Sequence, residues 1–418
     1  MKVIGIVAEY NPFHNGHAYH IEQTRLTTGA DYVIAVISGN FVQRGAPAIF
    51  DKFTRAKMAL QGGVDLVLEL PSHFACSSAP DFAQGAIDLL DSLGVVDYLS
   101  FGSECGNLSL LEQIACITME ETGLFSSTLR EYLQQGFSYP KAFATAFTLS
   151  NPEEQQLSKV IAEPNNLLGI EYLKALKRRK SSIIPTTILR NGSNYHDTHF
   201  TSPLCSALAI RSTLANATQL NCSVDELSNY MPMESYDVCQ EAYCSETSVV
   251  SNDFSNLLLY QLRLHQQTGY TSFYDVPEGL SNRIIKYLPQ FTTIDDFCNL
   301  LKTKDYTFAR ISRCLLHILL NIKQDHMIDY TKDSYAHYAR ILGFSQDKVA
   351  LLHQIKQSTK IPIITKLADA HKHLEPLSLQ MLEETILHSE LYHLPLQNKN
   401  KKNPYNEYQA NIVRIPSS

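Results

Sequence analysis

The sequence predicts an α/β protein in which a doubly wound parallel sheet is followed by a mainly α-helical C-terminal domain. Apolar, β-branched runs alternate with helical patterns in the first half, and strand signals become sparse after about residue 215. The predicted strands are Val3–Val7, Tyr32–Ile37, Leu66–Leu70, Tyr98–Phe101 and Ile183–Leu189. We therefore place an α/β domain at residues 1–217 and a mainly helical domain at residues 218–418.

Helical periodicity lies between and after these strands. In the first half it predicts a helix beginning near His17 and helices at Lys52–Gln61, Phe82–Leu93, Leu110–Gln135 and Leu167–Arg178. In the second half it predicts helices at Phe254–Gln267, Phe308–Gln324 and Ser345–Gln357. The tail from Asn398 to Ser418 is rich in Asn, Lys and Pro, and we expect it to be a partly ordered terminus.

The chain has 418 residues and a formal net charge of −7, and 44% of its residues are hydrophobic. These values are ordinary for a globular protein, and they exclude binding of a polyanion through bulk charge. A nucleic-acid surface would have to be a local basic patch. The nine cysteines are scattered and indicate reduced thiols. Because no apolar run is long enough for a secretory signal or a membrane span, we expect a cytoplasmic protein without membrane contact.

The most informative motif follows the first predicted strand. His14 and His17 flank Gly16 in a His-x-Gly-His pattern directly after an Asn-Pro turn. Ligands of parallel α/β sheets bind at the carboxyl ends of the strands, and helix N-termini favour anions. Two imidazoles in a first helical turn lie on one face, and Gly16 lets a phosphate approach the backbone. The motif therefore predicts a triphosphate site in which both histidines stabilise charge at the α-phosphorus.

Two simpler interpretations compete with this one. Isolated histidines are usually solvated or bonded to a backbone carbonyl, without any ligand. A zinc site is disfavoured because no nearby cysteine or carboxylate completes a tetrahedral set, so we predict no protein-built metal site.

Polar residues also follow the other predicted strands. The segment Ser38–Gly45 follows the second strand, and four basic residues lie in or near it: Arg44, Lys52, Arg55 and Lys57. They are either phosphate ligands or the exposed face of an amphipathic helix. Gly102 follows the fourth strand, where a glycine lets adenine or ribose pack on the backbone, although it could equally be an ordinary turn glycine.

Three more positions complete the predicted nucleotide cleft. Asn165 and Asn166 precede a helix, where one can cap the helix and the other is available to a ligand. Arg190 ends the fifth strand and is placed to meet a phosphate or a base. Ser206 and Arg211 lie in a Ser-Ala-Leu-Ala-Ile-Arg segment that opens another helix.

These motifs resemble a known family. The His-x-Gly-His turn and the Ile-Arg helix resemble the nucleotidyltransferase superfamily, which has a Rossmann-like parallel sheet. Longer strings are similar to the bacterial tRNA(Met) cytidine acetate ligase family: Glu-Tyr-Asn-Pro-Phe-His-Asn-Gly-His (9–17), Ser-Gly-Asn-Phe-Val-Gln-Arg-Gly (38–45), Asp-Lys-Phe-Thr-Arg-Ala-Lys-Met-Ala-Leu (51–60), Pro-Asn-Asn-Leu-Leu-Gly-Ile-Glu-Tyr (164–172) and Tyr-Ala-Arg-Ile-Leu-Gly-Phe (338–344). One departure is that Leu208 and Ala209 stand where the superfamily usually has Thr and Ser.

The resemblance implies an ATP-dependent acetate ligase. Such an enzyme forms acetyl-AMP, acetylates N4 of the wobble cytidine in elongator tRNA(Met), and releases AMP and pyrophosphate. It implies ATP as a substrate, Mg²⁺ beside it, and His14 and His17 as catalytic residues. The ATP-binding residues implied by the motifs are Val7, Ala8, Glu9, Tyr10, Asn11, Pro12, Phe13, His14, Asn15, Gly16, His17, Ala18, Tyr19, His20, Gly102, Asn165 and Arg190.

Two other functions fit parts of the sequence. One is a small-molecule adenylyltransferase, which joins AMP to a phosphate ester and needs only the first domain. The other is an RNA-binding protein that holds ATP without catalysis. The helical second half weighs against the first, and the paired imidazoles weigh against the second.

A tRNA ligand requires a basic surface on this acidic chain. The densest candidate in the second half contains Arg283, Lys304, Arg310 and Arg313, with Lys286 and Lys302 nearby. Solvated helix faces produce similar runs, so an alternative RNA surface is the region of Arg44, Lys52 and Arg55.

Overall fold

The computed structural model describes residues 1–119, 123–135, 137–190, 206–220, 223–304, 306–400 and 403–416. All the predicted strands are confirmed to within a residue or two. The strands of the described residues are β1 (Val3–Ala8), β2 (Tyr32–Ser38), β3 (Phe41–Val42), β4 (Ala46–Pro47), β5 (Leu66–Leu70), β6 (Tyr98–Ser103), β7 (Ile184–Leu189), β8 (Ala339–Ser345), β9 (Ile363–Ile364) and β10 (Val413–Ile415).

One sheet contains most of these strands, in the order β10-β8-β5-β2-β1-β6-β7, with β9 paired to β8. The strands β5, β2, β1, β6 and β7 are mutually parallel. The chain runs outward from β1 through β2 and β5, and then returns to β6 on the other side of β1. The strand order therefore reverses between β1 and β6, and open α/β sheets bind their ligands at such a point.

Helices cover the sheet and form most of the second half. Their bounds in the first half are α1 (Asn15–Thr28), α2 (Lys52–Gln61), α3 (Ser72–Ala75), α4 (Ala79–Ser92), α5 (Leu108–Met119), α6 (Gly123–Gln134), α7 (Tyr139–Ser150), α8 (Gln155–Ala162), α9 (Pro164–Arg179) and α10 (Ala207–Leu220). Those in the second half are α11 (Met233–Cys244), α12 (Ser255–Leu264), α13 (Glu278–Tyr287), α14 (Ile294–Leu301), α15 (Phe308–Leu319), α16 (Gln324–Thr331), α17 (Val349–Ser358) and α18 (Pro376–Asn400). Within the described ranges, none of these helices combines the length and apolar character that crossing a bilayer requires.

Several helix predictions differ from the structure. The predicted helix Phe308–Gln324 ends at Leu319 as α15, and the predicted helix Ser345–Gln357 begins only at Val349 as α17, because Ser345 ends β8. Helix α1 begins at Asn15, so His14 is its N-cap and not a residue of its first turn. The predicted helix Leu110–Gln135 is divided into α5 and α6, and residues 120–122 between them lie outside the described residues. Helix α9 begins at Pro164, because proline is well tolerated in a first turn, and Asn165 and Asn166 lie inside it.

The second half also contributes strands that the sequence analysis missed. Strand β8 pairs antiparallel with β5, and β9 and β10 each pair parallel with β8. The tail expected to be partly ordered therefore contains a sheet strand. The division into domains at 217/218 stays a prediction, but residues beyond it extend the central sheet.

Alternate residues of the central strands supply two separate cores. Ile34 and Val36 of β2 belong to the larger core, whereas Val33, Ala35 and Ile37 belong to the core on the opposite face. Because side chains of a strand point alternately to its two faces, this distribution requires helices on both sides of the sheet. The burial confirms the doubly wound arrangement.

A cluster of buried charges joins the two halves of the chain. It consists of Lys52 on α2, Glu69 on β5, Arg340 on β8 and Glu407 just before β10. Lys52 Nζ lies 2.8 Å from Glu69 Oε1, and Arg340 Nη1 lies 3.0 Å from Glu69 Oε2. Both cations also contact Glu407, and the Lys52 and Glu407 side chains are 0% exposed. We call these four residues the buried ionic cluster.

Breaking the buried ionic cluster should destabilise the fold. Arg340→Met keeps a long side chain but leaves two buried carboxylates opposite one lysine, so we expect the free energy of unfolding to fall by about 3–5 kcal/mol. Lys57→Met breaks an exposed pair with Glu241, whose charged atoms are 3.2 Å apart, and should cost at most about 1 kcal/mol. Urea unfolding followed by circular dichroism measures both variants. Equal losses of unfolding free energy in the two variants would show that the buried ionic cluster contributes no more to stability than an exposed ion pair.

Candidate active site

A cavity of about 230 Å³ opens where the strand order reverses. It is formed by the end of β1 and the residues after it, the start of α1, the turn between β3 and β4, one residue of α4, the ends of β6 and β7, and the first turns of α9 and α10. The predicted site residues that line it are Val7, Ala8, Glu9, Tyr10, Asn11, His14, Gly16, His17, Tyr19, His20, Gly102, Asn165 and Arg190. The structure thus brings together segments that are distant in the sequence.

The His-x-Gly-His segment forms the N-terminal cap of α1. Gly16 N donates to His14 Nδ1 over 3.0 Å, and His14 N donates to His17 Nδ1 over 3.2 Å. A Cβ on residue 16 would lie 2.9 Å from His14 Cε1, so glycine makes room for this ring. Since each Nδ1 accepts a backbone N–H, the neutral rings carry their proton on Nε2. Both imidazoles are therefore preorganised as Nε2–H donors.

The two rings lie against each other and are held neutral. Their centroids are 3.8 Å apart, and Tyr10 packs edge-on against His17 at 4.8 Å. Burial, together with the charges of Arg190 and Arg211, lowers the pKa of His14 to about 3. Burial and the neighbouring His14 lower the pKa of His17 well below its ordinary value. Near pH 7 both imidazoles are therefore neutral, and they offer the cavity hydrogen-bond donors without carrying a charge.

Three arginines give the cavity a positive field. Arg44, Arg190 and Arg211 line it, and Glu9 is the one carboxylate among its described lining residues. Arg211 Nη1 donates to Asn11 O over 2.6 Å. A Cβ on Gly102 would lie 3.2 Å from Arg190 Cγ, so this glycine lets Arg190 fold across the end of β6, rather than only exposing backbone to a ligand. The excess of positive charge suits a polyanion such as a triphosphate.

Four residues predicted within 7–20 do not line the cavity. Phe13 is 0% exposed and belongs to one of the two cores, and Pro12 is buried. Asn15 donates its backbone N–H to Tyr230 O and its Nδ2 to Asn229 O, so it fixes the start of α1. Ala18 packs against the same core as Phe13. These four residues therefore belong to the packing and bonding that hold the loop, and they are not lining residues of the cavity.

The residues of the alternative RNA surface, Arg44, Lys52 and Arg55, lie in three different environments. Arg44 lines the cavity. Lys52 belongs to the buried ionic cluster, and the Arg55 guanidinium is fully buried among backbone carbonyls of Glu9, Ser38, Gly39 and Phe50. Lys52 and Arg55 therefore cannot form an RNA surface, and Lys57 pairs with Glu241.

The predicted basic run of the second half is only partly exposed. Arg310 is 6% exposed, and its guanidinium bonds to Phe137 O and to Asp275, so its assignment to an RNA surface is corrected. Arg283 is half-buried and donates to Leu300 O and Leu301 O at the end of α14. Arg313 is half-buried, and Lys304 is exposed.

The sequence analysis missed the apolar wall of the cavity. It consists of Phe82, Phe101, Leu168, Tyr172 and Ile188. Leu168 and Tyr172 are three and seven residues after Asn165, which is the spacing of one helical face. That spacing could have identified both once Asn165 was chosen. Phe82 lies on α4 and carries no comparable signal.

The paired Nε2–H donors, the arginines and the apolar wall together define the class of the protein. They form a nucleotidyltransferase site, and the family model described as HIGH Nucleotidyl Transferase matches residues 1–407. The chain is 39% identical over 414 residues to a tRNA(Met) cytidine acetate ligase of Acetivibrio thermocellus, covering 99% of this chain and all of that protein. It is 41% identical over 419 aligned residues to a tRNA(Met) cytidine acetate ligase of Caldicellulosiruptor saccharolyticus, covering 100% of both chains. The chain belongs to the tRNA(Met) cytidine acetate ligase family.

Two solved structures from Thermotoga maritima are similar to this one. The apo form of TmcAL has a TM-score of 0.92 at 31% identity, and both chains are covered completely. The form of that protein bound with alpha-thio ATP has a TM-score of 0.90 at 30% identity, again over the full length of both chains. The fold is thus shared from end to end with a protein that binds an ATP analogue.

The histidines of the cavity should not titrate near neutral pH. The pKa of His14 is lowered to about 3, and that of His20, through burial and Arg190, to about 4. Both values lie below the unfolded value of about 6.5, so the unfolded chain binds more protons in acid. Their contribution to stability is complete above about pH 6.5 and falls as the pH drops below it.

Nuclear magnetic resonance of the imidazole Cε1–H groups checks this prediction. We expect the His14 and His20 signals to stay at the neutral position from about pH 8 to about pH 5. The signals are assigned from their loss in His14→Asn and His20→Asn, and the chain in concentrated urea supplies the unfolded reference. Titration of either folded signal near pH 6.5 would contradict the neutral cavity.

Proposed function

We propose that this chain is an ATP-dependent acetate ligase that acetylates N4 of the wobble cytidine in elongator tRNA(Met). The observation that carries the proposal is the pair of neutral Nε2–H donors, His14 and His17, beside three arginines at the switch point of the sheet. Similarity over the full length to relatives named for this activity supplies the substrates. ATP occupies the cavity, with its phosphates toward α1.

The first step is adenylation of acetate. An acetate oxygen attacks the α-phosphorus, a new P–O bond forms, and the bond to pyrophosphate breaks to give acetyl-AMP. His14 and His17 donate from Nε2 to the phosphoryl oxygens as charge spreads over them. Arg190, Arg211 and Arg44 hold the anionic groups in line. Positioning and electrostatic stabilisation supply the rate, without a nucleophilic side chain.

Mg²⁺ fits this cavity as a companion of the triphosphate. Among the described residues no cluster of His, Cys, Asp or Glu could form a metal site by itself, and Glu9 is the carboxylate available in the cavity. Mg²⁺ commonly takes one or two carboxylates, water and substrate phosphates as ligands, which matches this donor set. When bound, the ion neutralises charge on the phosphates.

The second step transfers the acetyl group to RNA. The cytidine N4 amine attacks the acetyl carbonyl, a C–N bond forms, the bond to AMP breaks, and the amine loses a proton. A base in a single-stranded anticodon loop can leave its stack at low cost and enter such a cavity.

Acetate-dependent exchange of pyrophosphate into ATP separates this function from its rivals. We expect exchange that requires acetate and proceeds without tRNA. A small-molecule adenylyltransferase would show exchange only with its own phosphate-ester acceptor and not with acetate, and a non-catalytic ATP-binding protein would show none with either. His17→Ala and His14→Asn should lower the exchange rate about 100- to 1000-fold while weakening ATP binding much less.

Two features make these variants informative. Asparagine at residue 14 can still cap α1, so the fold is retained while the Nε2–H donor is lost. Replacement of the exposed His371 by alanine is the matched control and should leave exchange unchanged. Near-normal exchange in His14→Asn and His17→Ala, with unchanged melting, would remove both histidines from the mechanism.

For tRNA binding we propose a lysine-rich surface around the end of α14. Lys302 and Lys304 are exposed, and Lys141 on α7 donates to Lys304 O over 3.1 Å. Arg283 donates to Leu301 O, next to Lys302, so all four cationic residues lie near this end of α14. This patch replaces the predicted set that included Arg310. Its phosphate contacts make tRNA binding salt-dependent.

Neutralising this patch should weaken tRNA binding without affecting adenylation. The triple variant Lys141→Gln, Lys302→Gln, Lys304→Gln should reduce the slope of log K against log salt by about 0.7–0.9 for each phosphate that is no longer neutralised. Filter binding at several salt concentrations measures the slope. A control triple variant of the exposed Lys332, Lys356 and Lys360 should leave it unchanged. Equal slopes in both triple variants would place the RNA surface elsewhere.

A further inference from the structure

The half-buried carboxylate of Glu104 lies at the rim of the cavity but is not among its lining residues. Glu104 follows β6 and reaches the first turn of α9. Its Oε2 accepts Asn166 N over 2.8 Å, and its Oε1 accepts both Asn165 N, over 3.2 Å, and the side-chain Nδ2 of Asn165. One carboxylate therefore satisfies two free N–H groups of the helix and also contacts the side chain that faces the cavity.

The contact decides which end of the Asn165 amide faces the cavity. An ionised carboxylate has acceptors and no donors, so only the NH₂ end of Asn165 can face Glu104. The carbonyl Oδ1 then faces away from Glu104, and no donor from the described residues contacts it. Since Asn165 lines the cavity, its Oδ1 is available there as a hydrogen-bond acceptor.

The neighbouring asparagine is fixed at both ends and cannot take this role. Asn166 Oδ1 accepts Cys105 N over 3.1 Å, and its Nδ2 donates to Val160 O over 3.0 Å. Asn166 is 1% exposed. It ties the loop after β6 to α8 and α9, which keeps Glu104 and Asn165 at a fixed separation.

We propose that Glu104 is a positioning residue that orients Asn165 to accept a hydrogen bond from the nucleoside part of ATP. The donor on the ligand is an N–H or O–H group, which is either the 6-amino group of adenine or a ribose hydroxyl. This inference rests on the proposed use of ATP and adds how the site recognises the nucleoside. Glu104 acts through Asn165 and does not touch the nucleotide.

Exchanging the two functional groups tests the proposal. In Glu104→Gln the amide can face Asn165 with either end, so the orientation is lost. In Asn165→Asp two carboxylates face each other. We expect each single variant to weaken ATP binding about tenfold, as loss of one hydrogen bond in a fixed geometry does. In the double variant the amide at position 104 keeps its oxygen on Asn166 N and turns its NH₂ group toward the carboxylate at position 165, which again offers an oxygen to the cavity. Only the longer bond from the backbone N–H of residue 165 is lost. ATP binding should then return to within about threefold of the wild type.

Calorimetric ATP affinity is the primary measurement, because it does not depend on the reaction that follows. If wild-type chain binds ATP but shows no acetate-dependent exchange, the proposed function fails while the orientation of Asn165 can still be judged. Where exchange occurs, KM for ATP should rise in the single variants with kcat little changed, since Asn165 is not assigned to the α-phosphorus. Glu163→Gln removes an exposed carboxylate from the same end of α9 and is the matched control.

Nucleotide analogues identify the donor. Purine riboside triphosphate lacks the 6-amino group, and 2′-deoxy-ATP and 3′-deoxy-ATP each lack one hydroxyl. The analogue without the recognised donor should bind about tenfold more weakly to the wild type and no more weakly than ATP to Asn165→Ala. Additive losses in the double variant, or wild-type affinity in Asn165→Asp, would overturn the proposal. If Glu104→Gln does not fold, the comparison of Asn165→Asp with Asn165→Ala still decides, because the aspartate should bind ATP no better than the alanine.

Discussion

The buried ionic cluster is the constraint on which the rest of the molecule depends. Neither its two cations nor its two anions could remain charged alone in the interior, so their four segments must assemble together. Asn40 ties the loop after β2 to the cluster and to α18, because its Oδ1 accepts Lys52 N and its Nδ2 donates to Ser389 Oγ. Arg55 adds bonds to the carbonyls of Glu9 and Ser38. Buried cations thus hold the loops in place, while Arg44, Arg190 and Arg211 line the cavity itself.

The parallel part of the sheet could be predicted because its strands are continuous apolar runs, and such runs need no information from elsewhere in the chain. Strand β8 could not, since Arg340 and Gly343 interrupt its apolar pattern. A buried arginine becomes favourable only through Glu69 and Glu407, which are far away in the sequence. Strand β10 has only three residues, too few to give a strand pattern in the sequence. It is ordered because it pairs with β8.

The candidate site was predictable at the carboxyl ends of the parallel strands, where Gly102 lies near the end of β6 and Arg190 directly follows β7. It was not predictable where the role of a basic side chain depends on whether that side chain is buried or exposed. Lys52 and Arg310 have the composition of a solvated helix face, yet both are buried against acidic partners. The role of His14 as a cap was missed because imidazole is an unusual N-cap, and its geometry depends on the backbone of Gly16.

The position of β8 between β5 and β10 has a consequence for folding. Until β8 arrives, β5 is an apolar edge strand, Leu-Val-Leu-Glu-Leu, in an otherwise complete parallel sheet. Such an edge invites pairing with another molecule, and a charge placed within it discourages that pairing. Glu69 is that charge. The carboxylate that joins the buried ionic cluster in the folded protein therefore also disfavours intermolecular pairing of β5 before β8 is in place. Pairing of β8 with β5 requires closing the long loop between residues 70 and 339, which is slow.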